Sequence, residues 1–104
     1  MLRNAAPVFA ALGDETRLRL IAVLCAGSAM SIAQLTAGTA ITRQSVTQHL
    51  QVLANAGLVR DVKVGRERLW AFDPAHVDEA RRALDAISQQ WDQALSRLKA
   101  MVEE

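Results

Sequence analysis

Tyrosine is missing from this chain of 104 residues, cysteine occurs once, and aromatic residues amount to 4%. Each scarcity excludes something. The single thiol, Cys25, forbids an intrachain disulfide. One thiol and two histidines also cannot assemble a cysteine-rich zinc site within one chain. Few aromatics beside abundant Ala and Leu argue for helices and against a β-sandwich. The apolar runs are too short to span a bilayer. The opening "MLRNAAPVFAAL" has one Arg and a short apolar stretch broken by Pro7, which makes a poor signal peptide. The expected location is the cytoplasm, with no membrane partner. The chain also offers no plausible nucleophile–base pair, no Gly-rich phosphate loop and no metal cluster, so neither an enzyme nor a cofactor is expected.

What remains is enough for one domain over residues 1–104. Hydrophobic residues make up 51% of the chain, sufficient for a compact core. The net charge of +1 carries no information about partners, but its distribution does. Between Thr42 and Arg68 five basic residues face two acidic ones, whereas from Asp73 onward four basic residues face seven acidic ones. A basic middle and an acidic tail suit a nucleic-acid contact in the middle.

The local signals give an element order. A short helix is expected from about Pro7 to Leu12, stopped by Gly13. Asp14 then caps "ETRLRLIAVLCA", with Leu18, Ile21, Ala22, Leu24 and Cys25 at helical spacing. On that apolar side Cys25 is expected to be a buried, inert small hydrophobe. Gly27 closes the helix. Ser31 and Gln34 form a capping box at the head of "SIAQL", and "TAGTA" supplies a turn.

Thr42 caps the next helix, expected over about 42–56. Val46, Leu50, Leu53 and Ala54 fall on one side of it, and Gln44, Gln48, Gln51 and Asn55 on the other. His49 flanks the apolar stripe and is expected to be packed and hydrogen-bonded. "AGL" ends the helix, with Gly57 left-handed and Leu58 folding back. Residues 58–72 change period: "LVRDVKV" and "RERLWAF" flank Gly65 as a β-hairpin with its tip at Val64–Arg66. Asp73 and Pro74 then open a long helix to about Val102, stapled by Phe72 and Val77.

Two short helices joined by a tight turn, followed by a hairpin, describe a winged helix-turn-helix: mainly α, with one small β-hairpin. The second helix carries uncharged polar groups on its outer face. Amides and hydroxyls can pair with base edges, which offer both donors and acceptors in the major groove, and glutamine can pair bidentately with adenine. Gln44, Thr47 and Gln48 are therefore the expected base readers. Thr42 and Ser45 suit phosphates or caps, and Arg43 a phosphate or a guanine. Lys63, Arg66 and Arg68 lie around the hairpin tip, where a wing meets the DNA backbone or the minor groove.

In the last helix Val77, Ala80, Leu84, Ile87, Trp91, Ala94, Leu98 and Met101 step by three and four, with Leu95 and Val102 widening the stripe. A small winged core cannot cover so long a helix, and a second copy about a two-fold axis is the expected cover. The expected interface comprises Phe9 and Leu12 with Leu84, Ile87, Trp91, Leu95 and Leu98.

The combination "LGDETRLRLIAVL", "SVTQHLQVLANAGLV" and "VGRERLWAF" resembles the ArsR/SmtB family of bacterial repressors over nearly the whole chain. The resemblance implies a dimeric winged-helix repressor on a pseudo-palindromic operator, with DNA contact falling on Arg43, Gln44, Thr47 and Gln48 and, more loosely, on Lys63, Arg66 and Arg68. Many members of that family release DNA on binding a metal. One kind of site uses a Cys-x-Cys pair in the helix before the recognition helix, where this chain has "SIAQLTA". Another uses Asp, His and Glu across paired last helices, where this chain has Asp78, Glu79, Asp85 and Asp92 but only His76. No metal is expected. An unidentified small-molecule effector and control by expression level both stay open. The alternative reading is a winged helix that contacts protein and has no operator specificity.

Overall fold

A computed structural model describes residues 2–103 of the chain. The order is α1 (Leu2–Leu12), α2 (Glu15–Ala26), α3 (Ile32–Ala37), α4 (Arg43–Asn55), β1 (Val59–Val64), β2 (Glu67–Phe72), a 3-10 turn (Pro74–His76) and α5 (Val77–Glu103).

The caps form where the sequence places them. The Asp14 carboxylate accepts from the Arg17 backbone N–H at 3.0 Å. Ser31 and Gln34 complete a reciprocal capping box, and the Thr42 hydroxyl oxygen accepts from the Ser45 N–H at 3.1 Å. Each satisfies a donor that the first helical turn leaves without an intrahelical partner. At the far end of α4 the chain turns through Gly57 at φ +78°. The Leu58 N–H donates to the Leu53 carbonyl and the Gly57 N–H to the Ala54 carbonyl, the two bonds of a Schellman stop. Leu58 drops into the core as a result.

Val46, Leu50 and Leu53 are fully buried and form the centre of the domain, surrounded by Val8, Ala11, Leu20, Leu24, Leu35, Val59 and Trp70. The strands pair antiparallel from Val59–Phe72 to Val64–Glu67, leaving Gly65 and Arg66 as a two-residue turn. Gly65 takes φ +62° and Arg66 does not share the positive sign, as in the II′ turns that suit a twisted hairpin. Met30 adds a short third rung: its N–H donates to the Trp70 carbonyl at 2.9 Å, and the Trp70 N–H donates back at 2.7 Å. That bridge ties the α2–α3 connection to the wing, and no period in the sequence announces it.

Several expectations need correction. The first helix begins at Leu2, not Pro7, and carries Pro7 inside it. Proline removes one helical hydrogen bond, but Ala5, Val8 and Ala11 lie buried on one face of α1, and the packing of that face outweighs the missing bond. In α2 the buried residues are Leu20 and Leu24, whereas Leu18, Ala22 and Cys25 are exposed. The face chosen is the one that meets α4 and β2, and the Leu18 stripe is a near-equal competitor that periodicity alone cannot reject. The turn at Pro74–His76 is 3-10, and α-helix starts only at Val77; the Asp73 side chain caps that turn through the Ala75 N–H.

α5 packs on α1 through its first turns, burying Ala80 and Ala83. Its 27 residues correspond to about 40 Å. Its distal half leaves the core and stretches the molecule to 67 × 28 × 21 Å. No described helix is long and apolar enough to cross a membrane.

Candidate nucleic-acid interface

On α4, residues 44, 47, 48 and 51 are separated by three and four positions and share one face. All four are exposed, and Val46, Leu50 and Leu53 occupy the opposite face. Exposed does not mean equally available. The Thr47 hydroxyl donates to the Arg43 carbonyl at 2.8 Å, so its proton is engaged and only its lone pairs face outward. The Gln51 amide donates to Asn55 at 3.3 Å. Gln44 and Gln48 have no partner among the described residues and keep both amide functions. Thr42 is the helix cap. Ser45 is half-buried beside it and supplies the capped N–H. Arg43 is exposed at the first helical position, close to the free N–H groups of the helix start, a favourable place for an anion.

The wing presents its cations unequally. Lys63 and Arg66 are exposed and make no ion pair among the described residues. Arg68, directly across the hairpin from Lys63, is tied to Asp61: Nε and Nη2 both reach the same carboxylate oxygen, at 2.8 and 2.7 Å. Such an exposed pair is worth little in stability, but the Asp61 carboxylate offsets the positive charge that Arg68 shows to an approaching polyanion. The three wing residues expected to act together thus separate into two free cations and one neutralised one.

A polar cluster that sequence reasoning did not assemble lies behind α4. The Arg17 Nε donates to the Ala11 carbonyl at 2.5 Å, and its Nη1 reaches His49 Nδ1 at 3.3 Å. The Asp14 carboxylate is 3.9 Å from the same ring nitrogen. The Arg17 backbone N–H foremost, then its guanidinium and His49, hold the Asp14 carboxyl below the usual carboxylate range. The sign follows: Asp14 contributes stability above the ordinary carboxylate value and loses it as pH falls through the lowered one. His49 is packed and hydrogen-bonded, as its place beside the apolar stripe suggests. The Asp-x-x-Arg spacing at the head of α2 was the available signal for its partners.

Of the expected interface residues on α5, all but Ile87 are exposed. Trp91 is 65% exposed, Leu95 63% and Leu98 56%. Leu84 is exposed too, and Ile87 is half-buried. From α1, Phe9 is exposed and Leu12 is half-buried. Together with Ile21 and Leu84 they line an apolar cleft with Cys25 at its edge. So large a continuous apolar surface is unusual on a protein that stays alone. Among the described residues no three His, Cys, Asp or Glu side chains are grouped to hold a metal ion.

Known proteins agree with this geometry. The profile of the Helix-turn-helix domain matches residues 12–62. An HTH-type transcriptional regulator of Mycobacterium tuberculosis is 31% identical over 93 residues, covering 89% of this chain and 83% of that protein. An ArsR-like transcriptional regulator from a Rhodococcus species superposes with a TM-score of 0.75 at 36% identity, over 95% of this chain and 92% of the other. The homodimeric winged helix-turn-helix DNA-binding domain of a possible ArsR-family regulator from Mycobacterium bovis shares the fold, with a TM-score of 0.64 at 21% identity over 90% and 83% of the two chains. The chain belongs to the ArsR family of winged helix-turn-helix transcriptional regulators.

Proposed function

We propose that this regulator binds a pseudo-palindromic operator as a homodimer in the cytoplasm and represses transcription by competing with polymerase for promoter DNA. The carrying observation is the pair of unengaged amides, Gln44 and Gln48, on the exposed face of a capped helix flanked by the free wing cations Lys63 and Arg66. The N-terminal turns of α4 enter the major groove, and Gln44, Gln48 and the lone pairs of Thr47 meet base edges. Arg43 contacts a phosphate or a guanine. Thr42 and Ser45 hold the helix start against the backbone, and the wing follows a phosphate chain or the minor groove. Arg68 joins the wing contact only by giving up Asp61. The exposed α5 stripe and the α1 cleft supply the self-complementary surface that a two-fold axis requires, which sets two α4 helices about one DNA turn apart.

Base readout and backbone contact separate experimentally. On a duplex selected from random-sequence DNA, Gln44→Ala or Gln48→Ala is expected to narrow the preference over scrambled DNA by about tenfold, on the order of 1–3 kcal/mol per bidentate contact. Arg66→Ala is expected to weaken both duplexes alike and to lower the salt slope by about one. Anisotropy titrations measure all three. Equal losses on every DNA from all three variants remove the base-readout assignment and favour a protein-binding winged helix.

A further inference from the structure

The interface just proposed makes no use of the cluster behind α4. There one guanidinium joins three helices. Arg17 is anchored in α2, donates from Nε to the last turn of α1 at the Ala11 carbonyl, and reaches the middle of α4 at His49 Nδ1. His49 directly follows Gln48 in the chain and sits between the exposed amide face and the buried stripe. The buried Val46, Leu50 and Leu53 set how α4 faces the core, and the contact at His49 adds a polar tether from α2 beside the residues that carry Gln44 and Gln48 outward.

The chemistry of that contact is one-sided. A guanidinium has donors and no acceptor and stays protonated at all relevant pH, so only the neutral imidazole, with its Nδ1 lone pair directed at Arg17, can complete the bond. We propose that His49 is a positioning residue for DNA recognition, seating α4 on α1 and α2 through Arg17, and that the seat is lost when the imidazole gains a proton. This rests on the reading of α4 as the DNA-reading helix. Protonation turns Nδ1 into a donor and sets two cations 3.3 Å apart. The new N–H then has one acceptor in reach, the Asp14 carboxylate at 3.9 Å, which is already the cap of α2. Asp14 can pair the new charge without leaving its cap, but Arg17 is left with no acceptor on α4, and the bond from α2 to α4 is lost.

The charged groups that face the ring are few. Arg17 and Asp14 both come from α2. The one charged residue of α1, Arg3, lies by the C-terminal end of α4, α3 has no ionisable residue, and neither Arg60, Asp61 nor Lys63 of β1 pairs with the ring. The other charged residue of α4, Arg43, is six positions away. Asp14, held below the usual carboxylate range, remains ionised between pH 5.5 and 7.5. The chain's other histidine, His76, packs over Gly57, just past the C-terminal end of α4.

The direction of the pH response separates this seat from an ordinary histidine near DNA. A surface histidine that gains charge strengthens attachment to phosphate. A histidine that gains charge and releases the reading helix weakens specific binding. The test is anisotropy on a duplex selected from random-sequence DNA, between pH 7.5 and 5.5 at fixed salt. Wild type is expected to lose about tenfold in affinity toward pH 5.5. His49→Gln keeps a neutral acceptor, so it is expected to bind like wild type at pH 7.5 and to stay flat. His49→Ala is expected to bind about tenfold more weakly throughout, and His76→Gln to respond as wild type does. A melting curve for each variant confirms that it is folded. Wild-type affinity that rises or stays constant on acidification, or a response abolished in His76→Gln and kept in His49→Gln, overturns the proposal. If no duplex is selected at all, the DNA reading fails separately, and backbone amide shifts of α4 recorded through the same pH range still decide the seat. Shifts that track the imidazole in wild type and vanish in His49→Gln support it, and shifts that ignore it overturn it.

Discussion

Trp91→Asp is expected to give a folded monomer whose DNA binding is weak. Trp91 is 65% exposed in the protomer, and its neighbours along the stripe, Leu95, Leu98 and Met101, are exposed as well. Removing the indole therefore takes almost nothing from the domain's own core, which is built on Val46, Leu50 and Leu53. In a dimer the same indole is the largest apolar group of the stripe. Aromatic anchors near the centre of an interface commonly cost about 2–4 kcal/mol when truncated, and a two-fold axis counts each change twice. A carboxylate facing its own copy adds repulsion and desolvation. Dimerisation is then weakened by roughly three orders of magnitude or more, at about 1.4 kcal/mol per factor of ten. Sedimentation velocity at micromolar concentration reads the change directly. A variant that remains dimeric there places the interface elsewhere.

Gly57→Ala carries the second large effect, and it acts on the fold. The position has φ +78°, and a Cβ built there falls inside the His76 imidazole. An L-residue in the left-handed region costs about 1–2 kcal/mol, and swinging the exposed His76 ring aside adds a smaller cost. The expected loss is about 1–3 kcal/mol, read from urea unfolding at fixed protomer concentration. The two parts are separable. In a His76→Ala background the smaller steric part disappears and the backbone part stays, so Gly57→Ala should still cost most of that amount there. A loss below about 0.5 kcal/mol in the wild-type background contradicts the left-handed stop at the end of α4.

Most of the architecture was legible because its signals are local. Asp14, Ser31 with Gln34, and Thr42 are side chains whose capping bonds span three residues, and all of them form. Gly57 and Gly65 mark the two positive-φ turns. The split of α4 into a buried Val46–Leu50–Leu53 face and an amide face follows from its period alone. What failed was decided by distant partners. α2 has two apolar stripes of similar strength, and only the placement of α4 and β2 selects Leu20 and Leu24 and leaves Cys25 exposed. Pro7 reads locally as a helix start, and the contact of α1 with α5 extends the helix back to Leu2. The Met30–Trp70 bridge spans forty positions of sequence, and Arg17–His49 spans thirty-two; neither has a period. For the interface itself, residue types indicated which side chains face outward. They did not show that Arg68 is neutralised by Asp61 or that the proton of Thr47 is engaged by its own helix.

The most direct measurement is an anisotropy titration of the purified protein on a duplex from the region upstream of its own gene, against a scrambled duplex of equal length, at two salt concentrations. The expected result is tighter binding to the upstream duplex, saturation at two protomers per site, and affinity that falls steeply with salt as phosphate contacts release counterions. Equal and weak binding to both duplexes, followed by failure to select any preferred sequence from random DNA, would contradict an operator-binding role for α4 and its wing.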